Sequence, residues 1–247
     1  MKDTQAIIER VTRVNDTHQH LHLSVDPSLM GMKAGQSVLA KVNDTWTPYL
    51  RQQWFPVKAT KKALVVERPA AEAYQPGQVV NLLGAVGQPF RFRRSLRNVL
   101  LLAYETEPTP LLMTIPALIE NKIGVTLVLC GSAAKYGTAH LPPEVEVIQG
   151  DSELNWQNRV TTIGWADQVF CATAPEIESV LLGRALAVFR DVRADVQQAY
   201  LFGVFRPPLP CGIGACGACL IKVKGGDPQL ACAHGPAFDL TQTSGLG

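Results

Sequence analysis

Four of the chain's six cysteines crowd into one short stretch, Cys211-Gly212-Ile213-Gly214-Ala215-Cys216-Gly217-Ala218-Cys219, completed by Cys232. The spacing, C-x4-C-x2-C and then a fourth cysteine after twelve residues, constrains the fold more than any other feature. A glycine-rich loop of this kind has little to hold it together except what its thiolates ligate. The first three cysteines follow the plant-type pattern for a [2Fe-2S] cluster. Two irons bridged by sulfide need two thiolates each, so four cysteines suffice. The loop must also turn its backbone N–H groups toward the sulfurs, which predicts positive φ at Gly212, Gly214 and Gly217. Two other chemistries compete for these residues. A structural zinc on four thiolates usually shows two separated C-x2-C knuckles, and this chain has one. A pair of disulfides suits a small secreted chain, and nothing here marks secretion.

The chain has 247 residues, 47% of them hydrophobic and 18% charged, with a formal net charge of +2. This is globular composition, with room for two medium domains and the cluster segment as an appendage. The charge carries no nucleic-acid footprint. Met1-Lys2-Asp3-Thr4-Gln5 lacks the apolar run of a signal peptide, and nowhere do eighteen apolar residues follow one another, so no membrane association and a cytoplasmic location are expected. A reducing compartment suits thiolates kept for a metal cluster.

The first part reads as short strands: Ala6 to Val14, Leu21 to Val25, Ser37 to Val42, Trp54 to Ala59, Ala63 to Glu67 and Val79 to Leu83. Turn signals separate them at Asp26-Pro27, Asn43-Asp44, Thr60-Lys61-Lys62 and Gln75-Pro76-Gly77, and the pattern predicts a small antiparallel barrel over residues 1–95. His18, His20 and His22 share one face of a strand; a metal site there competes with a polar outer face on an edge strand. Four cations within Arg91–Arg97 predict a charged hinge, a phosphate- or partner-binding role being the alternative. Beyond it, Asn98 to Tyr104, Val125 to Cys130 and Gln168 to Ala172 are apolar runs of the kind buried in a parallel sheet. Helix signals lie between them, at Thr109-Pro110 with Leu111, Leu112, Ile115, Leu118 and Ile119, and again from Pro175 to Arg190. Alternating strands and helices predict a doubly wound α/β domain over residues 96–200, followed by the cluster segment, 201–247.

A barrel, an α/β domain and a C-terminal cysteine segment in this order resemble the electron-transfer subunit of class B dihydroorotate dehydrogenase, of the ferredoxin reductase superfamily. The likeness is strongest in Cys211–Cys219 and in Cys232-Ala233-His234-Gly235-Pro236-Ala237-Phe238, similar to the family's C-x-D-G-P-x-F with His234 in the place of Asp. Gly84-Ala85-Val86-Gly87-Gln88-Pro89-Phe90 resembles its G-P-x-G-x-x-F. The resemblance implies a flavin-type barrel, a nucleotide-type α/β domain, and electrons passing between NAD, FAD, the [2Fe-2S] cluster and a separate catalytic flavoprotein subunit of pyrimidine biosynthesis. It implies cluster ligation by Cys211, Cys216, Cys219 and Cys232, and FAD contacts near Arg51, Trp54 or Tyr49, Gly84 and Gly87.

Three motifs depart from the family. Where it has R-P-[FY]-[ST], this chain has Leu50-Arg51-Gln52-Gln53-Trp54-Phe55, so either Gln52 replaces the arginine or Arg51 serves after a shift. Glutamine brings neither charge nor a fork of donors to a phosphate. Where the family has G-G-G-I-G-x-A-P, this chain has Ala103-Tyr104-Glu105-Thr106-Glu107-Pro108-Thr109-Pro110, with two carboxylates at the helix end that would attract phosphate. C-G-x-x-P-M becomes Cys171-Ala172-Thr173-Ala174-Pro175-Glu176; Cys171 is either the nicotinamide-facing cysteine or a buried structural one, and Cys130 reads as packing alone. These departures predict loosely held FAD and weak NAD(P)H binding.

The expected function is electron transfer to or from a partner flavoprotein in a hetero-oligomer, without independent catalysis. The alternatives are an intact FAD and NAD(P)H reductase subunit of a hydrogenase or ferredoxin-dependent complex, and a non-redox assembly subunit with a structural metal. The partner is expected to cover Gly212–Ala218 and an exposed apolar approach, Leu201–Pro210.

Overall fold

The computed structural model describes residues 2–42, 50–60 and 63–246. Seven strands form the first sheet: β1 (Lys2–Arg13), β2 (His18–Ser24), β3 (Ser37–Lys41), β4 (Gln52–Trp54), β5 (Pro56–Ala59), β6 (Leu64–Pro69) and β7 (Val79–Val86). Alternation puts one side of each strand inward: along β7, Val80, Leu82 and Val86 are buried while Val79 is exposed. Ile8, Leu21, Leu23, Val38, Trp54, Leu64 and Val66 meet Val80 and Leu82 in one core. The order is β4-β3-β7-β1-β2-β6-β5, antiparallel throughout.

The expected strand Trp54 to Ala59 is two strands, broken at Phe55. They lie at opposite edges of the sheet, so the chain crossing from one to the other brings the edges together as a nearly closed barrel. The histidine strand is also corrected. β2 runs between β1 and β6 and is not an edge strand, and His18 is buried while His20 and His22 are half-buried. The expected turns at Asn43-Asp44 and Lys61-Lys62, and the candidate Tyr49, lie outside the described residues.

The second sheet is built from β8 (Asn98–Tyr104), β9 (Gly124–Cys130), β10 (Val145–Gly150), β11 (Gln168–Thr173) and β12 (Leu201–Val204), all parallel. Helices α1 (Thr109–Leu112), α2 (Ile115–Glu120), α3 (Arg159–Trp165) and α4 (Glu178–Val192) connect and cover them. The single helix expected after Thr109 is two short ones, because Pro116 in the first turn of α2 has no N–H and crowds the carbonyl four residues back. The tail then adds β13 (Leu220–Ile221), β14 (Gln229–Leu230), α5 (Ala231–His234) and β15 (Ala237–Asp239), the last antiparallel to β12.

The second sheet runs β10-β9-β8-β11-β12-β15. The strand order reverses between β8 and β11, which is where doubly wound folds open a ligand crevice. The sheet continues past residue 200, and this overturns the expected exposed approach: Leu201, Val204, Phe205 and Leu209 are buried. The basic connection is fixed to the α/β domain, with Arg93 Nη2 donating to the Gln198 carbonyl at 2.6 Å. The buried Gln168 side chain takes the Arg93 amide and donates to the Arg91 carbonyl. Among the described residues no helix is long and apolar enough to cross a membrane.

Candidate functional site

The cysteine loop folds as the glycine pattern predicts. Gly212, Gly214 and Gly217 have φ of +66°, +80° and +68°. The amides of Ile213 and Cys216, then the Cys216 thiol, lower the Cys211 thiol to about 6, with a smaller contribution from the Ala215 amide. Cys219 Sγ lies 3.4 Å from Cys232 Sγ, and burial, then the Cys219 thiol, push Cys232 up to about 11. The amides therefore favour the thiolate at Cys211, whereas burial disfavours it at Cys232, whose proton must leave when metal arrives. Amides aimed at sulfur, turns that only glycine adopts easily and two neighbouring thiol pairs together suit an iron–sulfur cluster, whose potential such N–H groups tune.

The loop is seated on the barrel. A Cβ added at Gly212 would come within 2.8 Å of Leu39 Cδ1 on β3. Gly212→Ala is therefore expected to cost about 1–3 kcal/mol, from backbone strain and the clash together. The check is a lower urea midpoint for the cluster-loaded protein, followed by the cluster's visible absorption. His234 Nδ1 accepts the Leu230 amide at 3.1 Å. An acceptor at the amino end of a short helix is also what an aspartate supplies, so the exchange keeps that capacity.

The four candidate flavin residues divide between barrel packing and docking of the cluster segment. Gly84 packs against Val38 and Leu29. Gly87 (φ +83°) donates its amide to the Cys232 carbonyl at 2.9 Å, and Gln88 Nε2 donates to the Ala233 carbonyl at 2.9 Å. Trp54 is enclosed in the barrel, with the Arg68 guanidinium 5.1 Å from its ring centre. Gln52 Oε1 accepts from both Arg68 and Trp54 Nε1, so it faces barrel groups. Arg51 pairs with Asp3 at 2.9 Å. Between this part of the barrel and the α/β domain, a cavity of about 120 Å³ is bounded by Gln53, Phe55, Glu107, Thr109 and Arg206. Pockets for drug-sized ligands usually hold about 300–1,000 Å³.

The crevice between the ends of β8 and β11 is occupied by the protein's own side chains. Arg206 Nη2 donates to Thr106 Oγ1 at 2.9 Å and to the Thr173 carbonyl, spanning both strand ends. Glu105 (φ +56°) turns its carboxylate onto the Ser132 amide at 2.8 Å. The Ser152 hydroxyl and that amide hold Glu105 below its ordinary value. Its charge therefore occupies the turn after β9 rather than the end of α1, a correction to the sequence expectation. Cys171 is wholly buried between Leu102 and Gly203 of the neighbouring strands, and burial raises its thiol far above the usual range. Burial likewise pushes Cys130 up to about 12.

A second polar cluster, not anticipated from the sequence, joins barrel to α/β domain. Glu67 of β6 is buried and accepts from Thr109 Oγ1 at 2.5 Å and Tyr136 Oη at 2.7 Å. His20, its cross-strand partner, places Nε2 3.2 Å from Glu67 Oε2, and His140 places Nε2 4.0 Å away. Burial works to raise Glu67, but the hydrogen bonds from His20, Thr109 and Tyr136 prevail and hold it below its ordinary value. The three-histidine face was legible in the sequence. Glu67 and His140 carry no local pattern and meet β2 only through the fold.

The paired barrel and α/β domain with these strand orders define a ferredoxin reductase-like fold. A chain of the NADH-dependent reduced ferredoxin-NADP oxidoreductase superposes with a TM-score of 0.72 at 16% identity, over 97% of this chain and 89% of that one. Phthalate dioxygenase reductase, described as a modular structure for electron transfer from pyridine nucleotides to [2Fe-2S], gives 0.61 at 12% identity over 91% and 87%. The cytochrome b5 reductase domain of Ulva prolifera nitrate reductase gives 0.58 at 10% identity over 81% and 96%. Residues 209–244 match the family model for the iron-sulfur cluster binding domain of dihydroorotate dehydrogenase B. The resemblance read from the sequence is thus borne out, by that match at the cluster segment and by the fold elsewhere. A sequence comparison with curated proteins gives no match.

Proposed function

We propose that this chain is the electron-transfer subunit of an oxidoreductase complex, with a [2Fe-2S] cluster on Cys211, Cys216, Cys219 and Cys232 that exchanges electrons with a partner flavoprotein of the dihydroorotate dehydrogenase kind. The observation that carries this reading is two neighbouring thiol pairs, Cys211 with Cys216 and Cys219 with Cys232, with amides directed at Cys211 and with Cys216 exposed while Cys219 and Cys232 are buried. Bound there, the cluster supplies one-electron transfer. The protein's own residues hold it, tune it through N–H groups, and leave it approachable. Cys216 is exposed, and Ile213 and Leu220 nearby are 60% and 53% exposed, an apolar fringe suited to close contact with a partner. The unpaired thiols and the cluster suit a cytoplasmic, reducing setting.

In the same reading the barrel holds FAD loosely, with Arg51 as its phosphate contact, and the α/β domain binds NAD(P)H weakly. Gln52 and Trp54 are turned to the barrel, and Arg206 occupies the crevice where a pyrophosphate would lie.

Anaerobic preparation from the native host, followed by metal, sulfide and flavin analysis, tests both parts. The expected result is two irons and two labile sulfides per chain, in line with four-thiolate ligation of this cluster type. Flavin is expected below stoichiometry, and NADH alone should not reduce the cluster rapidly. Stoichiometric zinc overturns the cluster. Stoichiometric FAD surviving gel filtration, together with rapid reduction by NADH, instead makes the chain an intact reductase subunit.

A further inference from the structure

The seam cluster around Glu67 is separate from the cysteine loop, and electron transfer gives it no role. Its side chain is fully buried, and among the described residues no lysine or arginine pairs with it. Its two neighbouring bases are imidazoles. One ring nitrogen of His20, one of His140 and an oxygen of Glu67 all lie within 4.8 Å of one another. Donors about 2.0–2.2 Å from a tetrahedral ion stand about 3.3–3.6 Å apart, so the three need to close by little more than 1 Å to share one.

The surroundings hold the Glu67 carboxylate at both oxygens. Thr109 fixes one oxygen of Glu67, and Tyr136 donates to the other. Tyr136 has a single proton; once it is given to Glu67, none is left for His140 Nε2, 3.2 Å away. In the tautomer protonated at Nδ1, that nitrogen offers its lone pair to an ion. His20 and His140 also line a cavity of about 300 Å³ whose remaining wall is largely apolar, with Val57, Leu112, Ile115 and Leu141. An ion on the three donors would therefore keep open positions facing a ligand-sized apolar cavity, a pattern shared by zinc and non-haem iron sites built from two histidines and one carboxylate.

We propose that His20, Glu67 and His140 bind one divalent transition-metal ion of the borderline class, zinc being the type, at the seam between the barrel and the α/β domain. The ion neutralises the buried carboxylate and ties β2 and β6 to the loop carrying His140. Its open positions accept a small ligand, such as water or a carboxylate, from the apolar cavity.

Cobalt(II) titration of the full chain with its cluster assembled tests this, because the cluster keeps the four loop thiolates occupied. The expected result is one cobalt per chain, with the weak visible bands of nitrogen and oxygen ligation and no thiolate-to-cobalt charge transfer, displaced by zinc. His140→Ala and Glu67→Gln should each weaken binding by at least about 100-fold, since loss even of supporting contacts costs about 10–100-fold. His22→Ala, which alters the cavity wall but none of the three donors, should bind as wild type does. Cluster absorption and circular dichroism show that each variant is folded. Absence of saturable cobalt uptake by the wild type, thiolate bands in its spectrum, or unchanged affinity in folded His140→Ala protein overturns the proposal and leaves the three residues as a hydrogen-bonded clasp between domains.

Discussion

Cys216→Ser is expected to abolish the cluster and to unfold the cysteine loop while leaving the second sheet intact. Serine keeps the size of the side chain but not the ligand, since an alkoxide forms far less readily than a thiolate and iron in such clusters prefers sulfur. Without the cluster, little holds residues 211–218, whereas the rest of the segment is tied down: Lys222 and Lys224 are hydrogen-bonded to Ser244 and Gln242, and Cys219 and Ile221 are buried in the larger core. The strands there, β13 and β14, pair over two residues each. Backbone anchors include Ala231 N to the Cys219 carbonyl and Gly87 N to the Cys232 carbonyl. β15 pairs with β12, and Phe238 and Leu240 are buried in the same core. Hydrogen exchange should therefore lose protection over 211–218 and keep it at 222–224 and 237–240, with iron and sulfide near zero. Stoichiometric iron in the variant, or unchanged exchange in the loop, would show that the loop does not depend on this thiolate.

The selectivity of that outcome reflects what local sequence reveals. The loop was legible down to its backbone angles, because positive φ and sulfur ligation both leave marks at fixed offsets: Gly212, Gly214 and Gly217, and the four cysteines. β8, β9 and β11 were legible because strands covered on both faces are written as unbroken apolar runs. β10 was not read, because its alternating Val145-Glu146-Val147-Ile148-Gln149-Gly150 belongs to a half-exposed edge of the sheet. α3 was missed as well. Val160, Thr161 and Thr162 are β-branched and Gly164 lies in its last turn, so propensity argues against a helix that packing on Ile163 supports.

The failures near function have a common physical origin. Leu201–Pro210 looked like a surface patch because it is an apolar, proline-rich approach to the cysteine loop, yet its apolar residues are those of an interior strand and its extension. Glu67 gave no signal because a carboxylate ending an apolar run normally marks the rim of a strand. Its burial depends on His20 across the sheet and on Thr109 and Tyr136 from the other domain. Thr109 illustrates the same limit: its place before Pro110 suits a helix cap, but its hydroxyl donates to Glu67 and makes no cap hydrogen bond. Local capping was outweighed by a buried charge in need of donors.

Stability should fall as pH rises from about 5 to about 8 through Glu178, and Glu178→Gln should remove that part of the slope. Glu178 begins α4, is buried, and accepts the Arg206 amide at 2.7 Å. Burial pushes its carboxyl up to about 7, ahead of the Arg206 amide and guanidinium, which pull it down. The amino end of α4 also favours the charged form, so the rise is what burial leaves after these are met. With an ordinary value near 4.5 in the unfolded chain, the folded state binds the extra proton between about 4.5 and 7. The resulting stabilisation is complete below about 4.5 and is lost as pH climbs through about 7, a change of about 3 kcal/mol. Glutamine copies the protonated form and can still accept the Arg206 amide. The variant should therefore match wild type near pH 5 and exceed its unfolding free energy by up to about 3 kcal/mol near pH 8.5. Other groups titrate over the same range, so the informative quantity is the difference between the two proteins in urea unfolding across pH. A pH-independent difference, or a variant weaker than wild type near pH 8.5, would mean that Glu178 stays ionised and stabilises Arg206 across the strand ends as a charged partner.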